Sequence, residues 1–247
     1  MSLSGRTILI TGASSGLGTH FARIAAKAGA KVAVAARRLD RLEALAKETG
    51  GTAVAMDVED EASIVAGFAA AEKALGPIDG VIANAGMNVR SAALDLKAED
   101  FDRIMRVNLR GVFLTAREGA RRMIAAGSKE SGRGRVLLIG SLGARKVLPG
   151  IAAYCTSKAG VVMLGKALAR EWANQGINVN VLCPGYIATE LNETWLASES
   201  GQKLVQGFPR RRVMRAEDLD ATVLHLMSDA SRAITGAAFD LDDGQGL

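Results

Sequence analysis

Thr7-Ile-Leu-Ile-Thr-Gly-Ala-Ser-Ser-Gly-Leu-Gly18 is the stretch on which the fold of this chain turns. Its first five residues are apolar or β-branched, as a strand covered on both faces requires. Gly12 follows at once and permits a tight reversal. Gly16 lets the backbone approach a ligand with no Cβ in the way, and Gly18 lets the next helix, running to about Ala28, lie close on the sheet. The free N–H groups at that helix's N-terminus carry a partial positive charge suited to a pyrophosphate. A dinucleotide held here would meet Gly12, Ser14, Ser15, Gly16, Leu17 and Gly18. The spacing is G-x-x-x-G-x-G, not the commoner G-x-G-x-x-G, so on this stretch alone a glycine-rich loop without a ligand stays open.

Outward from it, short apolar runs alternate with helical patterns to the end of the chain. Strands are expected at Lys31 to Ala36, Thr52 to Met56, Ile78 to Ala83, Arg135 to Gly140, Ile177 to Cys183 and Ala237 to Leu241. Between them lie helical patterns at Leu39 to Lys47, Glu61 to Leu75, Phe101 to Ala126, Ala153 to Ala173 and Ala216 to Ser228, with Phe101 to Ala126 the longest. Seven strands separated by helices predict an α/β fold: a doubly wound, mostly parallel Rossmann-type sheet with helices on both faces. With no repeat and no Pro/Gly/Ser linker, one domain over residues 1–247 is expected. Thr189 to Phe208 lacks a clear period, and a mobile, partly helical lid is expected over about 189–212. In such sheets ligands sit beyond the carboxyl ends of the strands, which points to Gly12, Asn84, Ser141 and Pro184.

Composition narrows the function. Hydrophobic residues make up 49% and aromatic residues 4%, which suits a large aliphatic core of buried strands better than a binding surface. The net charge of +5 comes from mostly interspersed residues, with the densest basic runs at Arg37-Arg38, Arg121-Arg122 and Arg210 to Arg212. No nucleic-acid recognition motif accompanies them, so nucleic acid is not an expected partner. Cys155 and Cys183 lie in no ligand spacing with His20 or His225, so no metal is expected. Met1 to Gly5 is too short and polar for a signal peptide, and no apolar run approaches the ~20 residues of a membrane span. The expectation is a cytoplasmic protein with reduced thiols and no membrane partner.

Which dinucleotide depends on the end of the second strand. It reads Val34-Ala35-Ala36-Arg37-Arg38, with no acid there to accept ribose hydroxyls. The planar fork of arginine suits a 2′-phosphate, so NADP(H) is favoured over NAD(H), with Arg37 the leading contact and Arg38 second. The alternative is that both face solvent.

Tyr154-Cys-Thr-Ser-Lys158 sets a phenol and an ammonium four residues apart, on one helix face. A cation ~4 Å away at an effective dielectric near 20 contributes about 4 kcal/mol. That is enough to draw a phenol from its ordinary ~10 toward neutrality, where acid–base catalysis works best. Ser141, at the end of the fifth strand, could orient a substrate oxygen, or could simply cap a turn.

Taken together these residues resemble the short-chain dehydrogenase/reductase family in its single-domain subgroup. The likeness covers the whole chain and keeps the family's order: Thr11 to Gly18, Asp57-Val58, Asn84-Ala85-Gly86, Asn108, Ser141, Tyr154 with Lys158, Pro184-Gly185 and Thr189. It implies an NAD(P)-dependent oxidoreductase interconverting an alcohol and a carbonyl, with Tyr154 as acid/base. It further implies adenine contacts from Asp57 and Val58, and a cofactor lining from Asn84, Ala85 and Gly86. Asn108 would support a water relay to Lys158, and Lys158 would also bind the nicotinamide ribose. Pro184, Gly185, Ile187 and Thr189 would hold the nicotinamide end. A homo-oligomer, dimer or tetramer, is implied too, with the Phe101–Ala126 and Ala153–Ala173 helices forming one interface.

Three departures stand out. Ala83 replaces the first Asn of the usual Asn-Asn-Ala-Gly, Gly127 to Gly134 reads as an extra exposed loop, and Asp243-Gly244-Gln245 replaces Asp-Gly-Gly. Met87, Leu142, Ala144, Leu148, Tyr186, Leu191 and Trp195 are the residues expected to face the substrate. Being mainly apolar, they favour a neutral, hydrophobic ketone or secondary alcohol, although core or interface positions are open for each. A 3-oxoacyl thioester on an acidic carrier met by Arg121, Arg122, Lys129 and Arg133 is a second reading. A dinucleotide-sensing protein without catalysis is a third.

Overall fold

The structure is a computed structural model that describes residues 1–190 and 192–247. Seven strands, β1 (Thr7–Thr11), β2 (Lys31–Ala36), β3 (Thr52–Ala55), β4 (Gly80–Ala83), β5 (Gly134–Ile139), β6 (Ile177–Pro184) and β7 (Ala238–Leu241), form one sheet in the order β3-β2-β1-β4-β5-β6-β7. Every pairing is parallel, with Thr11 opposite Ala35 and Leu9 opposite Val81. β1 is buried along its whole length because helices cover both faces, which is why its residues read as a continuous run, not an alternation.

The helices are α1 (Gly16–Lys27), α2 (Leu39–Thr49), α3 (Glu61–Leu75), α4 (Ala98–Met105), α5 (Gly111–Ala125), α6 (Ser128–Ser131), α7 (Ala152–Trp172), α8 (Glu193–Leu196), α9 (Glu199–Gln206) and α10 (Asp220–Met227). One apolar layer joins the sheet to α3, α5 and α7 through Phe68, Met123 and Leu168. The other joins it to α1, α2 and α10 through Phe21, Leu42 and Val223.

Two expectations are corrected. The helical stretch after β4 is not one regular helix: a π-helical turn at Arg106–Arg110 separates α4 from α5, and α7, with 21 residues, is the longest α-helix among the described residues. The widened turn carries Asn108, whose side chain is drawn into the interior. Gly127 to Gly134 is not simply an exposed loop either. Ser128 begins the short α6, is buried, and donates its hydroxyl to the Gln175 carbonyl at 2.7 Å. Within Thr189 to Phe208 the chain forms α8 and α9, which share a small apolar cluster of Leu196, Val205 and Phe208.

The strand order reverses beside β1, between β1 and β4. There the Thr11 hydroxyl accepts the N–H groups of Asn84 at 3.1 Å and Ala85 at 3.2 Å, and Asn84 Nδ2 donates to the Thr11 carbonyl at 3.0 Å. These bonds splint the two strand ends at the point where such sheets open a crevice. Thr11 was not among the expected site residues. A hydroxyl closing the first strand was its only signal.

Candidate active site

A cleft of about 670 Å³ opens along this edge of the sheet and runs from Arg37 and Asp57 past the glycine turn to Ser141, Tyr154 and Trp195. The turn is as tight as its glycines allow. Gly12 has φ +67°, and a Cβ there would lie 2.8 Å from Ala85 Cα; on Gly18 it would lie 2.3 Å from the Gly12 carbonyl oxygen. Neither position admits a side chain. Gly12, Ser14, Ser15, Gly16 and Leu17 line the cleft, so the start of α1 faces it. Gly18 does not line it and serves the close approach of helix and sheet. A bare-backbone cradle at a helix N-terminus, in a crevice of this size, fits a dinucleotide pyrophosphate.

At the β2 end, Arg37, Arg38, Asp57 and Val58 all line the cleft. Arg38 is engaged, donating to Ser14 Oγ at 2.9 Å and Ser15 Oγ at 3.0 Å and lying 3.7 Å from Glu190. Arg37 is exposed and enters no ion pair among the described residues. Asp57 accepts the Glu59 N–H at 3.0 Å, which shapes the turn after β3. Glu59 also borders the cleft and is held by Arg106 at 3.3 Å. Sequence reasoning missed it, and its signal, an acid two residues after Asp57, is weak.

The chemistry-bearing side chains meet at the inner end. Ser141, extended at φ −171°, caps a short helical turn at Leu142–Ala144 by accepting the Gly143 N–H at 3.0 Å, and it also lines the cleft. The capping reading of this serine holds, and the cap leaves the residue on the cleft wall. Tyr154 and Lys158 lie one turn apart on α7, with Nζ 5.7 Å from the phenol ring centre. Lys158 is buried and donates to the Ile139 carbonyl at 2.8 Å. Burial pulls its ammonium down to about 8, from an ordinary 10.5.

The expectation that Lys158 lowers the Tyr154 pKa is corrected. Burial pushes the phenol above its ordinary value, and a hydrogen bond with Ser141 only partly opposes this.

Asn108 is fully buried and does not line the cleft, nor does it bond Lys158 directly. Its Oδ1 accepts the Met87 N–H at 2.8 Å, and its Nδ2 donates to the Met87 carbonyl at 2.9 Å and to Ser157 Oγ at 3.1 Å. Asn108 and Lys158 do flank the same glycine: a Cβ on Gly86 would sit 3.5 Å from Asn108 Oδ1 and 3.6 Å from Lys158 Nζ.

Asn84, Ala85, Gly86, Pro184, Gly185, Ile187 and Thr189 line the cleft as expected. On the substrate side Met87, Leu142, Leu148, Tyr186 and Trp195 line it, and Ile151 joins them. Ala144 is removed from this group: it packs against the hydrophobic core. Leu191 lies outside the described residues. Asn88, Arg90 and Asn192 border the cleft without having been foreseen. Among the described residues no group of three His, Cys, Asp or Glu side chains could hold a metal ion, and no helix is long and apolar enough to cross a membrane.

Residues 12–245 match the family model described as enoyl-(acyl carrier protein) reductase. The chain is 34% identical over 249 residues to gluconate 5-dehydrogenase of Gluconobacter oxydans (strain 621H), covering 98% of this chain and 95% of that one. Its structure resembles a gluconate 5-dehydrogenase from Burkholderia cenocepacia J2315 in complex with NADP and tartrate, with a TM-score of 0.92, 33% identity, and 99% and 96% of the two chains covered. It also resembles a 3-ketoacyl-(acyl-carrier-protein) reductase from Brucella melitensis complexed with NADH, with a TM-score of 0.91, 35% identity and both chains covered in full. With the glycine cradle, the seven-stranded parallel sheet and the Ser–Tyr–Lys constellation on one edge, the chain belongs to the short-chain dehydrogenase/reductase family, and it is an oxidoreductase acting on CH–OH groups with NAD(P).

Proposed function

We propose that this enzyme interconverts a secondary alcohol and a ketone, prefers NADP(H), and takes a substrate that is apolar around the reacting carbon. The observation that carries the reading is the convergence of Ser141, Tyr154 and Lys158 on a stretch of cleft wall made by Leu142, Leu148 and Ile151. Apolar walls exclude water from a reacting carbonyl and strengthen every polar contact made to it.

The nicotinamide, when bound, supplies the hydride; the chain's residues bind, orient and move a proton. The Ser141 hydroxyl would orient the carbonyl oxygen, and Tyr154 Oη would give that oxygen its proton in reduction or take it in oxidation. Lys158 would hold the ribose hydroxyls next to Gly86. Asn108 would support a water relay behind Lys158 while fixing Met87 at the cleft wall.

For the cofactor, the two solved relatives named above carry NADP and NADH respectively, so the choice rests on this chain's own residues. The β2 end offers Arg37 with no carboxylate partner among the described residues, and a 2′-phosphate would supply the opposite charge. The carrier-docking alternative is weakened by the pairing of three of its four basic residues, all but Lys129: Arg122 with Glu118 and Glu72, Arg121 with Glu118, and Arg133 with Asp79 and Asp229. The non-catalytic reading is weakened by the complete Ser–Tyr–Lys set.

The test is absorbance of NADPH and NADH in parallel against a panel of ketones, with Tyr154→Phe beside the wild type. Turnover should fall by about a thousandfold in the variant, within the range of a lost proton donor, while NADPH still binds. Turnover that survives in Tyr154→Phe removes Tyr154 from the acid/base role.

A further inference from the structure

Four arginines border the cleft: Arg37, Arg38, Arg90 and Arg103. Two lie beside carboxylates of the chain that each serve a second arginine: Arg38 is 3.7 Å from Glu190, which Arg41 holds at 2.9 Å, and Arg103 is 3.9 Å from Glu59, which Arg106 holds at 3.3 Å. Arg37 and Arg90 enter no ion pair among the described residues, and Arg37 is accounted for by the cofactor phosphate. Arg90 needs a separate explanation. It belongs to the loop after β4, and its Nη1 donates to the Pro149 carbonyl at 3.2 Å, just ahead of the helix that carries Tyr154. Its guanidinium carbon lies 4.0 Å from the centre of the Trp195 ring, and Trp195 in turn stacks on Tyr186 with ring centres 6.0 Å apart.

This arrangement fixes the guanidinium plane while leaving most of its donors unspent. One of five N–H groups has a partner among the described residues. Stacking on an indole holds a cation without consuming its hydrogen bonds, and a fork with free parallel N–H groups matches a carboxylate two-to-two. Two positions earlier on the same loop, Asn88 Oδ1 is buried without a donor among the described residues. That oxygen is closed to solvent, so what the loop offers an entering ligand is the exposed Arg90, whose other four N–H groups have no protein partner among the described residues.

We propose that Arg90, stacked on Trp195, docks a carboxylate on the substrate, so that the enzyme interconverts an oxo acid and the corresponding hydroxy acid. The inference rests on the alcohol–ketone reading above and extends it: the apolar stretch beside Tyr154 receives the carbon chain, and Arg90 receives its far end.

The experiment compares kcat/KM for oxo acids of increasing chain length with that for the matching carboxamides, in wild type, Arg90→Met and Arg90→Lys. Wild type should favour the acid by about tenfold or more at the best chain length, as a charged hydrogen bond contributes. The preference should collapse in Arg90→Met and return in part in Arg90→Lys, chiefly through KM. An acid-to-amide ratio that is the same in wild type and Arg90→Met overturns the carboxylate site and leaves the alcohol–ketone reading standing. Absence of turnover of acids, amides and simple ketones alike, with both cofactors, overturns both.

Discussion

The side chain of Asn108 clamps the backbone of Met87 from both sides, accepting its N–H at 2.8 Å and donating to its carbonyl at 2.9 Å. The clamp depends on the π-helical turn at Arg106–Arg110, which carries Asn108, and it continues through Ser157 to the Tyr154 carbonyl, which Ser157 Oγ meets at 2.7 Å. One buried amide thereby ties the loop after β4 to the first turns of α7. Replacing it with Ala strands the polar atoms of Met87 in the interior. Asn108→Ala should lower stability by about 1–3 kcal/mol, the range for an unsatisfied buried group, and lower kcat/KM as well. Urea denaturation and steady-state kinetics read the two effects. Unchanged stability would show that water replaces the amide at no cost.

Arg37→Ala should raise the KM for NADPH by about tenfold or more, the worth of a charge-assisted bond to phosphate, and leave the KM for NADH nearly alone. A variant that keeps its NADPH preference takes the 2′-phosphate away from Arg37.

The direction of the Tyr154 shift predicts an asymmetric pH dependence. Burial raises the phenol above its ordinary 10, so the acid needed for reduction is present across the usual assay range. Alcohol oxidation needs the phenolate, and its kcat/KM should climb as pH rises from about 7 toward 10. Reduction should show no loss from Tyr154 titration over the same range. Parallel pH profiles for both directions check this; a flat oxidation limb would mean that the proton leaves by another group.

Lys158 carries a stability signature of its own. Its folded value of about 8 lies below the ordinary 10.5, so between these values the unfolded chain holds a proton that the folded protein has released. Stability therefore rises with pH across that window, and the full penalty of charging a buried ammonium is present below about 8. Against Lys158→Met, the cofactor-free wild type should gain about 3 kcal/mol between neutral pH and pH ~10.5. Denaturant titrations of both proteins at the two pH values measure it, and a constant difference would place the lysine pKa near normal.

Gln245, where the family usually has Gly, is buried and accepts the Tyr186 N–H at 2.6 Å while donating to the Arg212 carbonyl at 3.3 Å. Its Oε1 also lies 2.5 Å from where a Gly185 Cβ would be. Gln245→Gly should loosen Tyr186 at the substrate end, raising substrate KM several-fold and lowering stability by about 1–3 kcal/mol for the unsatisfied N–H. An unaltered KM would make the contact purely structural.

Much of the architecture was legible because its causes are local. A two-sided buried strand needs a continuous apolar run, a helix needs a period near 3.6, and a cradle closed on backbone at Gly12 and Gly18 needs glycine, whatever the rest of the chain does. The spacing of Tyr154 and Lys158 put both on one helix face for the same reason. Tertiary structure decided what depends on distant residues coming together. The bond between Asn108 and Ser157 spans 49 positions, that between Tyr186 and Gln245 spans 59, and Arg90 meets Trp195 across more than a hundred. The proton affinities of Tyr154 and Lys158 belong with these, since burial is the largest cause of each shift. Sequence spacing placed the charge beside the phenol, but desolvation by the whole surrounding fold decided which way the phenol's affinity moved.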